Sequence, residues 1–162
     1  MKLISAIIFT LTILAFTGAA QRNVTPAVDT AMETDAKHNL DVARQAFTPL
    51  KRAYKQVISR FEETYAAYPD FTGIDEFLYL AGMSSYYLSE NKGKQKVDLK
   101  SEKEREKYAP EKLRTDARTY LQLIVDKYPQ SKYRDDAEKA LKKLVAEKLT
   151  TDPNENRRLL PP

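Results

Sequence analysis

The chain has no cysteine, a single histidine (His38) and only four glycines in 162 residues. Without cysteine there is no disulfide, no thiolate nucleophile or metal ligand, and no residue that could carry a lipid after an export signal. A lone histidine with Asp41 at i+3 and no carboxylate at i+4 lacks the partners that a general base or metal ligand needs, so His38 reads as a solvent-facing helix residue. The glycines are scattered, and no glycine-rich phosphate loop, P-loop, nucleophile elbow or zinc pattern can be assembled from them. No segment alternates with a period of two, which argues against a sheet. No catalytic, cofactor-binding or metal-binding residue is left to nominate, and the chain reads as a non-enzyme without cofactors.

Long apolar runs are missing as well, except at the N-terminus. Lys2 is the only charge in the first twenty residues, Leu3 to Phe16 is apolar apart from Ser5, Thr10 and Thr12, and the small run Thr17-Gly18-Ala19-Ala20 follows. This is the layout of a secretory signal peptide over 1–20. An uncleaved anchor is the competing reading, but a span needs about 20 apolar residues. Removing twenty residues from 162 leaves 142, enough for one domain with its own core. The expectation is an exported protein of the periplasm or cell envelope, held together by packing alone.

Excess charge is also scarce. Without Lys2 the chain has 26 basic and 23 acidic residues, a net charge of +3. Segment 91–107 accounts for all of it: Lys92, Lys94, Lys96, Lys100, Lys103, Arg105 and Lys107 stand against Asp98, Glu102, Glu104 and Glu106. A nucleic-acid binder would show a basic stripe along an ordered face, and none is present. Any membrane contact would be peripheral.

What the chain does have is a repeat. Tyr68-Pro69 followed by Asp75-Glu76 recurs as Tyr128-Pro129 followed by Asp135-Asp136, at a constant offset of sixty positions. Each copy ends one helix and opens the next, as in arrays whose units cannot bury their apolar faces alone. The acidic pairs fall in first helical turns, where they meet the helix dipole favourably, and they read as architecture.

Apolar spacing then places about five helices in an all-α domain over 30–148. After a polar leader at 21–29, a first helix runs from Thr30 to Ala46, with Ala36, Leu40, Ala43 and Phe47 on one face. A second spans 49–67, with Thr48 as cap, Pro49 at its first position and Leu50, Tyr54, Val57, Phe61 and Tyr65 as its stripe; a kinked continuation of the first helix is the alternative. A third covers Ile74 to Glu90, with Phe77, Leu80, Ala81, Ser84 and Leu88 inward and small residues Gly82, Ser84 and Ser85 permitting close approach. A charged insertion at 91–109 includes the capping box Ser101 to Glu104, which suggests a short, poorly packed helix at 102–107. A fourth helix at 110–127 and a fifth from after Ser131 to about Lys148 complete the domain. Residues 149–162 read as a disordered tail.

Val57-x3-Phe61-x7-Pro69 and Ala117-x3-Leu121-x7-Pro129 resemble the second helix of a tetratricopeptide unit, giving antiparallel helix pairs of α-solenoid type. The stretch from Tyr68-Pro69 through Ile74 to Met83, then the insertion, then Arg118, Tyr120-Leu121, Ile124 and Tyr128-Pro129-x-Ser131-x-Tyr133-x-x-Asp136-Ala137 resembles the C-terminal half of the outer-membrane assembly lipoprotein (BamD) family. That resemblance implies a periplasmic scaffold whose partners are protein subunits of the barrel-assembly machinery. The chain departs from the family in lacking the lipidated cysteine and in having about half as many units.

Tyr79 and Tyr86, seven apart, share a face of the third helix, with Tyr87 adjacent. Core packing is the default for apolar residues on two sides of a middle helix; the functional reading is a groove that holds a peptide or partner helix, a role that suits tyrosine. The insertion is long for a helix–helix connection. The candidate partner-binding residues are therefore Tyr79, Tyr86, Tyr87, Lys92, Lys94 and Lys96. The expected function is a non-enzymatic scaffold for protein partners; a self-associating structural helical bundle of the envelope is the alternative. The sequence leaves the oligomeric state open.

Overall fold

The computed structural model describes residues 30–98 and 100–151, and every regular element in them is a helix. In chain order these are α1 (Thr30–Phe47), α2 (Tyr54–Ala67), α3 (Ile74–Ser89), a short α4 (Glu102–Lys107), α5 (Pro110–Lys127) and α6 (Arg134–Thr151). The all-α expectation holds, and the helix at 102–107 has the expected bounds. The expected signal at 1–20 and leader at 21–29 lie outside the described residues, as does the tail beyond residue 151. Residues 149–151 belong to α6, so the helix outruns its expected end at about Lys148. Among the described residues no helix is long and apolar enough to cross a membrane.

One helix starts later than its apolar spacing predicts. Residues 48–53 form a tight turn in which the Thr48 carbonyl accepts from the Lys51 and Arg52 amides at 3.1 and 2.9 Å, while the Ala53 amide reaches back to Ala46 O at 2.9 Å. Arg52 takes a left-handed backbone, φ 44°, which cannot continue a right-handed helix. Neither an N-terminal Pro49 nor a kinked continuous helix is therefore found. Leu50, expected on the buried stripe, is 78% exposed at the turn's tip, and Tyr65 lies at 38% although its ring stacks on Phe61. The apolar spacing runs on through the turn by coincidence.

α3 is the middle of the structure. Ile74, Phe77, Leu78, Leu80, Ala81, Gly82, Met83, Ser84, Ser85, Tyr86 and Leu88 are all buried, so it contacts neighbours on nearly every side. Its most extensive packing is on α5, with α2 and α1 also against it. Gly82 is the reason α5 comes so close: a Cβ there would sit 2.8 Å from Leu121 Cγ. The stripe of α5, Leu113, Ala117, Leu121 and Ile124, is buried as expected. At about 25 cal/mol per Å² of apolar surface removed from water, each large side chain here contributes roughly 1.5–3 kcal/mol.

Two layers result. α1, α3 and α6 form one: α1 packs on α3, and Tyr79–Tyr133 and Tyr86–Glu147 contacts join α3 to the α6 side. α2 and α5 form the other, bridged by Phe61 edge-on to Tyr120 at 4.8 Å. A smaller second core of Tyr54, Ile58, Leu88 and Leu113 lies beneath the insertion, with Val97 and Tyr108 packed on it.

Candidate functional site

The repeated junctions share a backbone hydrogen-bond pattern that reproduces the sixty-residue offset. In the first, the amides of Tyr68, Phe71, Ile74 and Phe77 donate to the carbonyls of Thr64, Tyr68, Phe71 and Gly73; in the second, Tyr128, Ser131, Arg134 and Ala137 donate to Ile124, Tyr128, Ser131 and Tyr133. Each junction is also tied to the first turn of an earlier helix. Thr72 Oγ1 donates to Glu33 at the start of α1, and Ser131 Oγ donates to Asp75 Oδ2 at 2.6 Å at the start of α3. The two loops flank an open cleft of about 610 Å³ whose lining includes Phe71, Asp75, Tyr128 and Ser131.

At the N-terminal end of α3, Glu76 accepts from Nε and Nη2 of Arg44 from α1, at 2.6 and 2.7 Å, while Arg44 Nη1 donates to Asp41 at 2.6 Å. The Arg44 hydrogen bonds hold the Glu76 carboxyl below the usual carboxylate range, assisted by the Tyr133 hydroxyl. Glu76 thus does more than meet a helix dipole: it fastens α3 to α1 and to the second junction. Tyr79 lies one turn further along α3, stacked on Tyr133 with centroids 4.9 Å apart. Burial pushes the Tyr79 hydroxyl pKa up.

At the C-terminal end of α3 the chain closes with a Schellman turn. Asn91 adopts a left-handed backbone, φ 55°, which asparagine tolerates better than most residues. Its amide donates to Leu88 O and that of Lys92 to Tyr87 O, both at 2.9 Å. This reversal folds Lys92 back over the helix it has just left, with its ammonium 5.6 Å from the Tyr86 ring centroid and 5.9 Å from that of Tyr87. Lys143 from α6 approaches the Tyr86 ring at 5.3 Å. Tyr86 is buried and its hydroxyl donates to Glu147 Oε1 at 2.7 Å; burial, then Glu147, raises its pKa. Tyr87 is half-buried and continues an aromatic run through Tyr54 and Phe47, with centroids 5.4 and 6.2 Å from its own.

The insertion is docked rather than free. Lys55 of α2 donates to both Glu104 carboxylate oxygens, at 2.9 and 3.0 Å, and to Lys96 O at 2.9 Å. Lys107 bonds Glu62 at 2.6 Å, and the Asp98 amide donates to Glu104 Oε2 at 2.7 Å. The capping box is partly formed: the Glu104 amide donates to Ser101 Oγ at 3.4 Å, while the Glu104 side chain turns to Lys55 instead of back to Ser101. Charge pairing with α2, together with Val97 and Tyr108 packed on the second core, holds this segment down, and neither is visible to local reading. Between the insertion, the end of α3 and the start of α5 lies a cleft of about 440 Å³, lined by Leu88, Val97, Tyr108 and Pro110 with Lys96 and Arg105 as its charged groups.

Of the six residues nominated from sequence, Tyr86, Tyr87 and Lys92 converge at one place. Lys94 and Lys96 follow on the same exposed loop; the Lys94 amide donates to Arg52 O at 3.1 Å, and Lys96 Nζ bonds Asn91 Oδ1 at 3.2 Å. Tyr79 is separate, near the second junction. Sequence reasoning missed Lys143 and Glu147, which meet Tyr86 only because α6 folds back beside α3, and missed Tyr54 and Phe47 for the same kind of reason. Among the described residues no group of three His, Cys, Asp or Glu side chains is placed to hold a metal.

These features define an all-helical, repeat-like protein with an aromatic and cationic cluster at one end of its central helix. No family model matches the chain, and no curated protein and no solved structure matches it.

Proposed function

We propose that the protein is a non-enzymatic scaffold of the bacterial cell envelope that binds protein partners, with subunits of outer-membrane protein assembly as the first candidates. The observation that carries this reading is the convergence of Tyr86, Tyr87, Lys92, Lys143 and Glu147 on one surface built from α3, its Schellman turn and α6. Rigid aromatic rings edged by charged side chains are the composition of binding hot spots, and half-buried Tyr87 with exposed Lys92 supplies the accessible part. The N-terminal export signal read from sequence supports the compartment, and the Tyr-Pro repeat supports the tetratricopeptide-like arrangement.

Crosslinking and affinity capture from the native envelope test the proposal, comparing the natural chain with Tyr87→Ala and Lys92→Glu. Tyr87 is the better probe than Tyr86, because alanine at a buried aromatic costs about 3–5 kcal/mol and would confuse folding with binding. A several-fold loss of a reproducible partner, at a temperature where melting curves show each variant fully folded, is the expected outcome. Capture of the same partners by both variants would place binding elsewhere. Recovery of nothing but the chain itself, with a stable dimer in sedimentation, would favour the structural-bundle alternative.

A further inference from the structure

We propose that the cleft between the insertion, α3 and α5 is a peptide-binding site, taking an apolar anchor side chain from an acidic partner segment. The proposal rests on the scaffold reading above and adds a second place, next along the chain from the Tyr86 cluster, where a partner enters, with the chemistry it presents there.

The walls of the cleft are mostly apolar: Leu88 from the end of α3, Val97, Tyr108 and Ala109 from the insertion, and Pro110 from the start of α5, with Ser89 and Asn91 as the neutral polar groups. At about 440 Å³ it falls in the range of pockets that hold a ligand group. Among the described residues, the charged side chains lining it are Lys96 and Arg105, and no carboxylate does. Arg105 is exposed and its guanidinium enters none of the ion pairs that hold the insertion down.

The charge around the cleft points the same way. Lys107 is matched by Glu62 and Glu104 by Lys55, both on α2. Setting aside Lys107 and Glu104 leaves Lys92, Lys94, Lys96, Lys100, Lys103 and Arg105 against Asp98, Glu102 and Glu106, still an excess of three positive charges. A lone anionic head group would need only the pair at the mouth. Cations distributed along the whole segment suit a chain with several carboxylates. The apolar pocket would give such a chain register and affinity, and the surrounding charge would speed its capture.

A random dodecapeptide display library selected on the full-length protein tests this directly. Enrichment of peptides with a Leu, Ile or Phe flanked by Asp or Glu is expected. Synthetic copies of the enriched peptides should bind more weakly as salt rises. They should lose about tenfold or more in affinity with the Lys96→Glu/Arg105→Glu double variant, whose positions are exposed. Ala109→Phe, which fills the cleft from its lip and leaves the charges, should weaken binding comparably; melting curves of both variants check that the insertion stays docked, and Arg105→Glu alone serves if either does not. No enrichment, enrichment without acidic residues, or affinity unchanged by both variants overturns the proposal. Persistent envelope capture by the double variant, with loss on Tyr87→Ala, would leave the scaffold reading standing and remove the cleft from it.

Discussion

The two Tyr-Pro junctions follow one backbone path, each hydrogen-bonded to an earlier helix, but with different packing. The first buries apolar groups: Phe71 is 2% exposed, and Gly73 faces Leu40 of α1 so closely that a Cβ would lie 2.9 Å from Leu40 Cδ2. The second is polar: the position of Phe71 is taken by Ser131, hydrogen-bonded to Asp75, and that of Gly73 by Tyr133, stacked on Tyr79. The shared backbone bonds show that Tyr-Pro and the following acidic turn encode a helix reversal. The differences show that what a junction packs against is set by its place in the stack, with α1 pressed on the first and the Asp75, Glu76 and Tyr79 side chains of α3 beside the second.

The largest expected effect is Phe71→Ala, which empties a fully buried ring site and should cost about 3–5 kcal/mol in urea melts. An equal loss at Ser131→Ala would break the contrast between the junctions. Gly73→Ala should follow, at about 1–3 kcal/mol, because the added methyl collides with Phe71 and Leu40. A neutral result would mean that α1 can withdraw from the junction freely.

Glu76 ties the stability of its end of α3 to pH. The Glu76 carboxyl is held below its ordinary value of 4.5, chiefly by Arg44. The stability it contributes is therefore complete above that value and is lost as pH falls through the folded-state value. Glu76→Gln should flatten this acid branch of the stability curve, whereas Asp136→Asn, at an exposed pair with Lys139 three residues away, should change little. An acid branch unaltered by Glu76→Gln would show that the Arg44 clamp carries no net energy.

Ser131→Ala should cost about 1 kcal/mol through loss of the bond to Asp75, read as a small shift in denaturation midpoint. Smallest of all is a gain at the α1–α2 turn, the connection that lacks Tyr-Pro. Arg52→Gly should stabilise by up to about 1 kcal/mol, since glycine accepts the left-handed backbone that arginine adopts at φ 44°. A loss there would mean that the side chain compensates for its backbone strain.

Helix existence was legible wherever apolar spacing and punctuation agreed. α5 opens at Pro110 and closes before Tyr128-Pro129 as expected, and α4 is announced by its Ser101 cap. α2 was misplaced because Leu50 continues the spacing by chance through a turn whose evidence, a left-handed Arg52 and bonds to Ala46 and Thr48, is conformational. The candidate site was legible in part. Tyr86, Tyr87 and Lys92 are close in sequence and meet through a local Schellman turn. Lys143 and Glu147 are more than fifty residues from Tyr86, and no local pattern could assign them to it.

By itself the sequence determined the all-helical class, most helix boundaries and the recurrence of one junction, because those follow from short-range sterics, apolar period and the missing amide of proline. Only the tertiary structure decided which faces of α3 are covered, that the charged insertion is clamped to α2 by Lys55 and Glu62, and that two lysines from distant segments share one tyrosine ring. Those contacts depend on how helices stack across the layers. Side-chain charge and ring geometry fix them over distances in sequence that periodicity does not reach.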